Sequence, residues 1–311
     1  MRFTKMHGIG NDYVYVDATQ CPGLDLARAA TLVSDRHRAI GSDGLIAVCP
    51  PSGAGADVRM RMFNADGSEG EMCGNGIRCV AKYAVDRGIA SANPLRIETG
   101  RGVLEVAWER GRDGRVARAS VAMGAPILAH ARIPARIDGV AADATVVAHP
   151  VDLARWGADG WWREAGVEPH LTLVSMGNPH AILCCRDPWK VPLEAIGARI
   201  ERDPWFPARI NAHFVAFGPT PGVAAMRTFE RGSGITLACG TGASAVCVAG
   251  VLLGRGARTL DATLPGGPLR LEWPSDGASV RMTGPATEVF EGEVDLDALA
   301  GELRAMGAAH A

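Results

Sequence analysis

Short apolar runs bounded by turn residues dominate the chain. "YVYVD" (13–17), "GLIAVCP" (44–50), "LRIETGRGVLEVAWE" (95–109), "ARASVAMG" (117–124), "HAILCC" (180–185), "AHFVAFG" (212–218), "LRLEW" (269–273) and "ASVRMTG" (278–284) all read as β-strands. Helical patterns are fewer: residues 24–37, "VDLDALAGELRAM" near the C-terminus, and two apolar stretches that follow glycine-flanked cysteines. This mixture predicts an α+β fold. The least regular stretch, 130–166, holds three of the seven tryptophans and reads as an insertion or peripheral loop of the second half, with no chemistry assigned to it.

The hydrophobic pattern repeats. Shifted by 166, "FNADGSEGEMCGNGIRCVAKYAVDRG" (63–88) lies over "FERGSGITLACGTGASAVCVAGVLLG" (229–254), which aligns Phe63 with Phe229, Cys73 with Cys239, Gly74 with Gly240 and Gly76 with Gly242. An offset of 167 lays "GND" (10–12) over "GNP" (177–179), so that Asn11 meets Asn178. Each matched segment runs from a strand ("VRMRMF" or "VAAMRTF") through a polar glycine-bearing loop into about fifteen apolar or small residues ending at glycine. After Cys239 that run carries no charge, the mark of a helix surrounded by protein. Two pseudo-symmetric domains are expected, each a mixed sheet or barrel wrapped around a central helix, with 1–124 plus 286–311 as one half and 125–285 as the other.

Composition narrows the partners. Of 311 residues, 47% are hydrophobic, and 34 acidic side chains nearly balance 32 basic ones, so no net field recruits nucleic acid or an anionic membrane. With no long apolar run and no secretory pattern at the N-terminus, the expectation is a cytoplasmic protein with a small-molecule partner. The eight cysteines form neither a disulfide framework nor a zinc module, so no metal is expected.

A free cysteine ordinarily packs as a small hydrophobe. Cys73 and Cys239 differ in their place: each stands at a predicted helix start, where unpaired N–H groups and the dipole favour thiolate and bring the pKa towards neutrality. Gly74, Gly76, Gly240 and Gly242 let a carboxylate approach the same N–H groups. An anion site with a proton carrier beside it, built twice, suits inversion at carbon, which needs one group to remove a proton and another to return one from the opposite face. A dithiol redox switch or a non-catalytic binding role is the competing class.

The segments "KMHGIGNDYVYVD", "FNADGSEGEMCGNGIRCVAKY", "VSMGNPHAI" and "ERGSGITLACGTGASA" resemble the diaminopimelate epimerase family in order and spacing, over nearly the whole chain. The resemblance implies an isomerase of lysine and peptidoglycan biosynthesis that interconverts LL- and meso-diaminopimelate, with no pyridoxal phosphate or other cofactor, as a homodimer. It implies Cys73 and Cys239 as the two acid/base groups, and Gly74, Asn75, Gly240 and Thr241 as donors to the α-carboxylate. Asn11, Asn64, Asn178 and Asn211 match substrate-binding asparagines, Glu230 and Arg231 match residues that hold the substrate's charged ends, and His180 with Glu230 matches groups that support the reacting thiols. Taken alone, the asparagines suit turns and caps, His180 suits a satisfied core position, and Arg231 suits a solvated face. Gly44 and Ile235 depart from the family, which often has glutamine and an acidic residue there. Both bear on the distal substrate pocket, and a same-fold racemase of proline, hydroxyproline or another amino acid is the neighbouring alternative. "MCGNG", with Asn75 where proline-type relatives carry histidine, favours the diaminopimelate branch.

Overall fold

A computed structural model describes residues 1–308, which form two compact units: Met1–Val121 with the segment from Gly284 onward, and Ala122–Thr283.

In the first unit, Arg2–Gly8 pairs antiparallel with Asn11–Asp17 across a two-residue reversal, where Ile9 and Gly10 take φ of 50° and 88°. Asn11–Asp17 runs parallel to Gly44–Cys49, a connection that requires a crossover, and the helix Leu26–Ser34 supplies it. Gly44–Cys49 then pairs antiparallel with Val58–Asn64, which runs parallel to Leu95–Thr99. The second crossover is the helix Gly74–Asp86. Strands Gly102–Arg110 and Val116–Ala122 continue antiparallel, and Thr287–Glu293 covers the outer side of Arg2–Gly8.

The second unit repeats this order. His170–Ser175 pairs antiparallel with Pro179–Cys184, which runs parallel to Asn211–Phe217. Asn211–Phe217 pairs antiparallel with Val223–Glu230, which runs parallel to Thr259–Leu264. The crossovers are Leu193–Glu201 and Gly240–Leu252. Leu193–Glu201 lies 167 residues after Leu26–Ser34 and was not expected from the sequence. Gly197 obscures it: glycine is a poor helix former, yet a Cβ there would meet the Phe229 ring at 2.3 Å.

Each crossover helix that follows a cysteine is the axis of its unit. Every residue from Asn75 to Val85 is buried, and the helix touches strands on several sides, from Arg2–Gly8 round to Gly102–Arg110. Lys82 is tolerated inside because its ammonium donates to Asp86 at 2.8 Å and to the Val116 carbonyl at 2.6 Å. Gly240–Leu252 is equally enclosed and needs no such pairing, since it carries no charge. The α+β fold with a sheet around each central helix is therefore what the structure shows.

Residues 130–166 correct one expectation. They are no peripheral loop: Ile133, Ile137, Val146, Val151, Leu153, Trp156, Trp161 and Ala165 fill a buried cluster with Leu171, Ile196, Phe206 and Phe214. Irregular backbone hid a core contribution, because periodicity reports only regular elements.

Candidate active site

Cys73 and Cys239 are the N-cap residues of the two axial helices. Their extended backbones, φ −128° and ψ 117° for Cys73, φ −126° and ψ 101° for Cys239, turn each side chain back over the first turn. The Gly76 N–H donates to Cys73 Sγ at 3.3 Å, and the Gly242 N–H donates to Cys239 Sγ at 3.4 Å. The first i→i−4 bonds come from Ile77 and Ala243, both at 2.9 Å. The N–H groups of Gly74 and Asn75, and of Gly240 and Thr241, therefore precede the helical ladder, where an anion is best accommodated.

The surroundings of the two sulfurs differ. The Cys73 thiol donates to Asn11 Oδ1 at 3.1 Å, and Asn11 Nδ2 donates to Asp43 at 2.7 Å. Asp43 in turn takes the Asp12 N–H and the Arg36 guanidinium. Burial alone would raise the Asp12 carboxyl, but bonds from Arg36 and Lys5 hold it below the ordinary range. One turn into the helix, the fully buried Arg78 donates to the Gly74 carbonyl at 3.2 Å, to Asn75 Oδ1 at 3.0 Å and to the Pro285 carbonyl at 3.1 Å. Burial lowers the Arg78 pKa, and the guanidinium lies within electrostatic reach of the Cys73 sulfur. Asn64 donates to Ser68 Oγ at 3.0 Å and so braces the 64–68 turn.

Cys239 stands in another setting. Burial pushes this thiol well above its ordinary value, and the neighbouring Glu230 carboxylate adds to the rise, outweighing the bonds from Thr241 and Gly242. The expectation of a thiol brought towards neutrality is thus overturned here: the dipole and cap act, but removing the sulfur from water costs more. Thr236 Oγ1 donates to Glu230 at 2.6 Å. Thr241 Oγ1 lies 3.7 Å from Cys239 Sγ and accepts from Asn178 Nδ2 at 3.3 Å. Asn178 Oδ1 is 3.0 Å from His180 Nε2, and His180 Nδ1 is 2.9 Å from His213 Nε2. Both histidines are fully buried. Burial draws His180 well below its ordinary pKa, helped by His213 and Arg231, and draws His213 down to about 3.

Two expected substrate contacts do other work in this structure. Asn211 donates to the Pro179 carbonyl at 2.8 Å and accepts the Arg231 N–H at 2.9 Å, so it ties the "ERG" turn to its neighbours. Arg231 is exposed, and its guanidinium donates to the Ala208 carbonyl at 3.0 Å. Sequence reasoning missed His213 and Arg78. The repeat holds the signal for both: His213 falls on Ile46 at the 167 offset and Arg78 on Ser244 at 166, polar or charged groups where the other copy has something quite different. Among the described residues, no cluster of His, Cys, Asp and Glu is placed to hold a metal, and no helix is long and apolar enough to cross a membrane.

A sequence model for "Diaminopimelate epimerase" matches residues 3–128 and 172–289. The stretch it leaves out, 129–171, holds the irregular core segment. The diaminopimelate epimerase of Acetivibrio thermocellus is 47% identical over 301 residues, covering 96% of this chain and all of that protein. Among solved structures, a phenazine biosynthesis protein of the PhzF family from Bacillus anthracis superposes with a TM-score of 0.64 at 17% identity, covering 95% of this chain and 99% of that one. A probable proline racemase from Agrobacterium radiobacter gives 0.61 at 16% identity, covering 95% of this chain and 93% of that one. At such identities the likeness to these two structures shows a shared fold alone.

Proposed function

The chain belongs to the diaminopimelate epimerase family, and from that premise we propose that it interconverts LL- and meso-diaminopimelate, with Cys73 and Cys239 exchanging protons on opposite faces of one α-carbon. The observation that carries the reading is the doubled cap: two cysteines 166 residues apart, each bonded through sulfur to the N–H of a glycine at the third helical position.

The surroundings of Cys239 support its resting form. Burial and Glu230 keep Cys239 protonated, so it is the acid that delivers a proton. Cys73 is then the partner that removes one. Turnover in the opposite direction exchanges the two roles. Carbanion character at Cα spreads into the α-carboxylate, and the N–H groups of Gly74, Asn75, Gly240 and Thr241 stabilise it as it develops. Asn11 and Asn178 hold the two sulfurs' polar neighbours in place and offer contacts to the substrate. Asn64, Asn211, Glu230 and Arg231 complete the substrate contacts, with the bonds that now occupy Asn211 and Arg231 exchanged for substrate on binding. The enzyme works in the cytoplasm as a homodimer and needs no cofactor.

One observation favours a second reading. Ile235 and Leu237, just before Cys239, expose apolar side chains at 44% and 53%. A less polar amino acid than diaminopimelate would suit that surface. The deciding experiment is inversion of LL-diaminopimelate in deuterated water, beside a panel of other amino acids and without added cofactor. Deuterium at the inverted centre of diaminopimelate is the expected result. Inversion of another amino acid alone selects the second reading, and no inversion of any substrate overturns both.

A further inference from the structure

His213 belongs to no motif of the sequence analysis, yet it is built into the Cys239 helix from below. It sits in the strand Asn211–Phe217, opposite Thr228 in the antiparallel pairing with Val223–Glu230. Its ring lies against Gly242, the residue whose N–H caps Cys239: a Cβ at 242 would meet His213 Cε1 at 2.3 Å, His213 Nδ1 at 3.0 Å and Cys239 Sγ at 3.0 Å. At the equivalent place under Gly76 in the first unit stands the Ile46 side chain, 2.7 Å from a Cβ built there. The second copy has thus spent a core position on a polar ring.

That ring closes a line of hydrogen bonds with one direction. Both imidazoles are neutral, since burial disfavours their protonation. Asn178 Oδ1 can only accept, so His180 Nε2 carries the hydrogen and its Nδ1 accepts. His213 Nε2–H then donates to His180 Nδ1 at 2.9 Å, and Thr228 Oγ1–H donates to His213 Nδ1 at 2.9 Å. With its oxygen held by His180, the Asn178 amide must present Nδ2–H to Thr241 Oγ1. The Thr241 hydroxyl hydrogen, not needed by Asn178, can then turn to Cys239 Sγ 3.7 Å away.

We propose that His213 is a positioning residue for the Cys239 half-reaction: it fixes the His180 tautomer, and through the Asn178 amide it aims the Thr241 hydroxyl at the Cys239 sulfur. The proposal rests on the acid/base role given to Cys239 above. Glu230 and Arg231 are the charged groups nearest this line, and they are left unchanged in the variants below.

The test pairs His213→Leu, which removes the donor to His180, with His213→Gln, whose amide can donate to His180 and accept from Thr228. In His213→Leu, kcat should fall by about 10- to 100-fold with KM within about twofold, the scale expected when a working group loses its aim. In His213→Gln most of kcat should return. Nitrogen-15 NMR of the histidine-labelled protein should show His180 and His213 as neutral Nε2–H tautomers at pH 7, with His180 losing that fixed form in the leucine variant only. The NMR measurement needs no substrate, so it decides the positioning role even where the epimerisation assay fails. If either wild-type ring is cationic or carries Nδ1–H at pH 7, the proposal is overturned. It is equally overturned if glutamine is as damaging to kcat as leucine. Should His213→Leu not fold, Thr228→Val serves in its place: it removes the hydrogen that pins His213 Nδ1, and it should loosen both tautomers.

Discussion

One turn into the first axial helix, Arg78 bonds the Gly74 carbonyl; at the equivalent place in the second, Ser244 bonds the Gly240 carbonyl at 3.0 Å. At the end of the preceding strand Asn64 stands in one unit and Glu230 in the other, and under the capping glycine Ile46 is replaced by His213. The backbone around the two cysteines is therefore duplicated, while the charges around them are opposed. A buried cation lies within electrostatic reach of Cys73, whereas burial and a neighbouring anion favour the neutral thiol at Cys239. The difference teaches that one fold unit, copied, can place two sulfurs alike and surround them differently: the cap fixes where each sulfur sits, and neighbours outside the cap set how strongly it holds its proton.

The largest effect that would break this comparison is unequal dependence on the two thiols. Cys73→Ala and Cys239→Ala should each lower epimerisation by about 10²–10⁴-fold, the range for loss of a positioned acid or base. Steady-state assay of both variants checks this, and near-normal turnover in either would dismantle the paired scheme.

Next in size is the contrast at the capping glycines. Gly242→Ala drives a methyl into the His213 ring, whereas Gly76→Ala meets chiefly the flexible tip of Ile46. Thermal or denaturant unfolding should show Gly242→Ala destabilised by about 1–3 kcal/mol, as for an overpacked core. Gly76→Ala should lose less, because Ile46 can rotate away and alanine is the better helix former by about 1 kcal/mol.

Acid supplies the smallest and most graded contrast. His180 and His213 bind protons less readily in the folded protein than in the unfolded chain, so their contribution is whole above about pH 6.5 and declines as pH falls towards His213's value of about 3. The slope for each is at most about 1.4 kcal/mol per pH unit. In the first unit, the depressed carboxyl of Asp12 loses its contribution only below about pH 4. Hydrogen exchange at pH 5 should therefore show opening within Ala122–Thr283 before Met1–Val121, and His213→Gln should flatten that acid response. Simultaneous opening of both units would remove the histidine pair as its cause.

Much of the scaffold was legible because it is local. Alternation in "YVYVD" and "AHFVAF" marks strands whatever they pack against, and the cysteine-glycine steps mark helix starts through backbone N–H groups that any such helix must satisfy. The helix Leu193–Glu201 escaped because Gly197 weakens its local signal, though the repeat predicts it from Leu26–Ser34. The segment 130–166 escaped because its apolar residues reach the core without a period.

By itself the chain determined that there are two copies of a strand, loop and helix unit, and that a thiol caps each helix, because caps and periods depend on neighbours along the sequence. Only tertiary structure decided that Cys239 keeps its proton, that His213 stands behind His180, and that Arg78 sits fully buried one turn from Cys73. Proton affinity depends on how much water is lost and which charges lie close in space, and both are set by residues distant in the chain, brought together when the sheet closes around its helix.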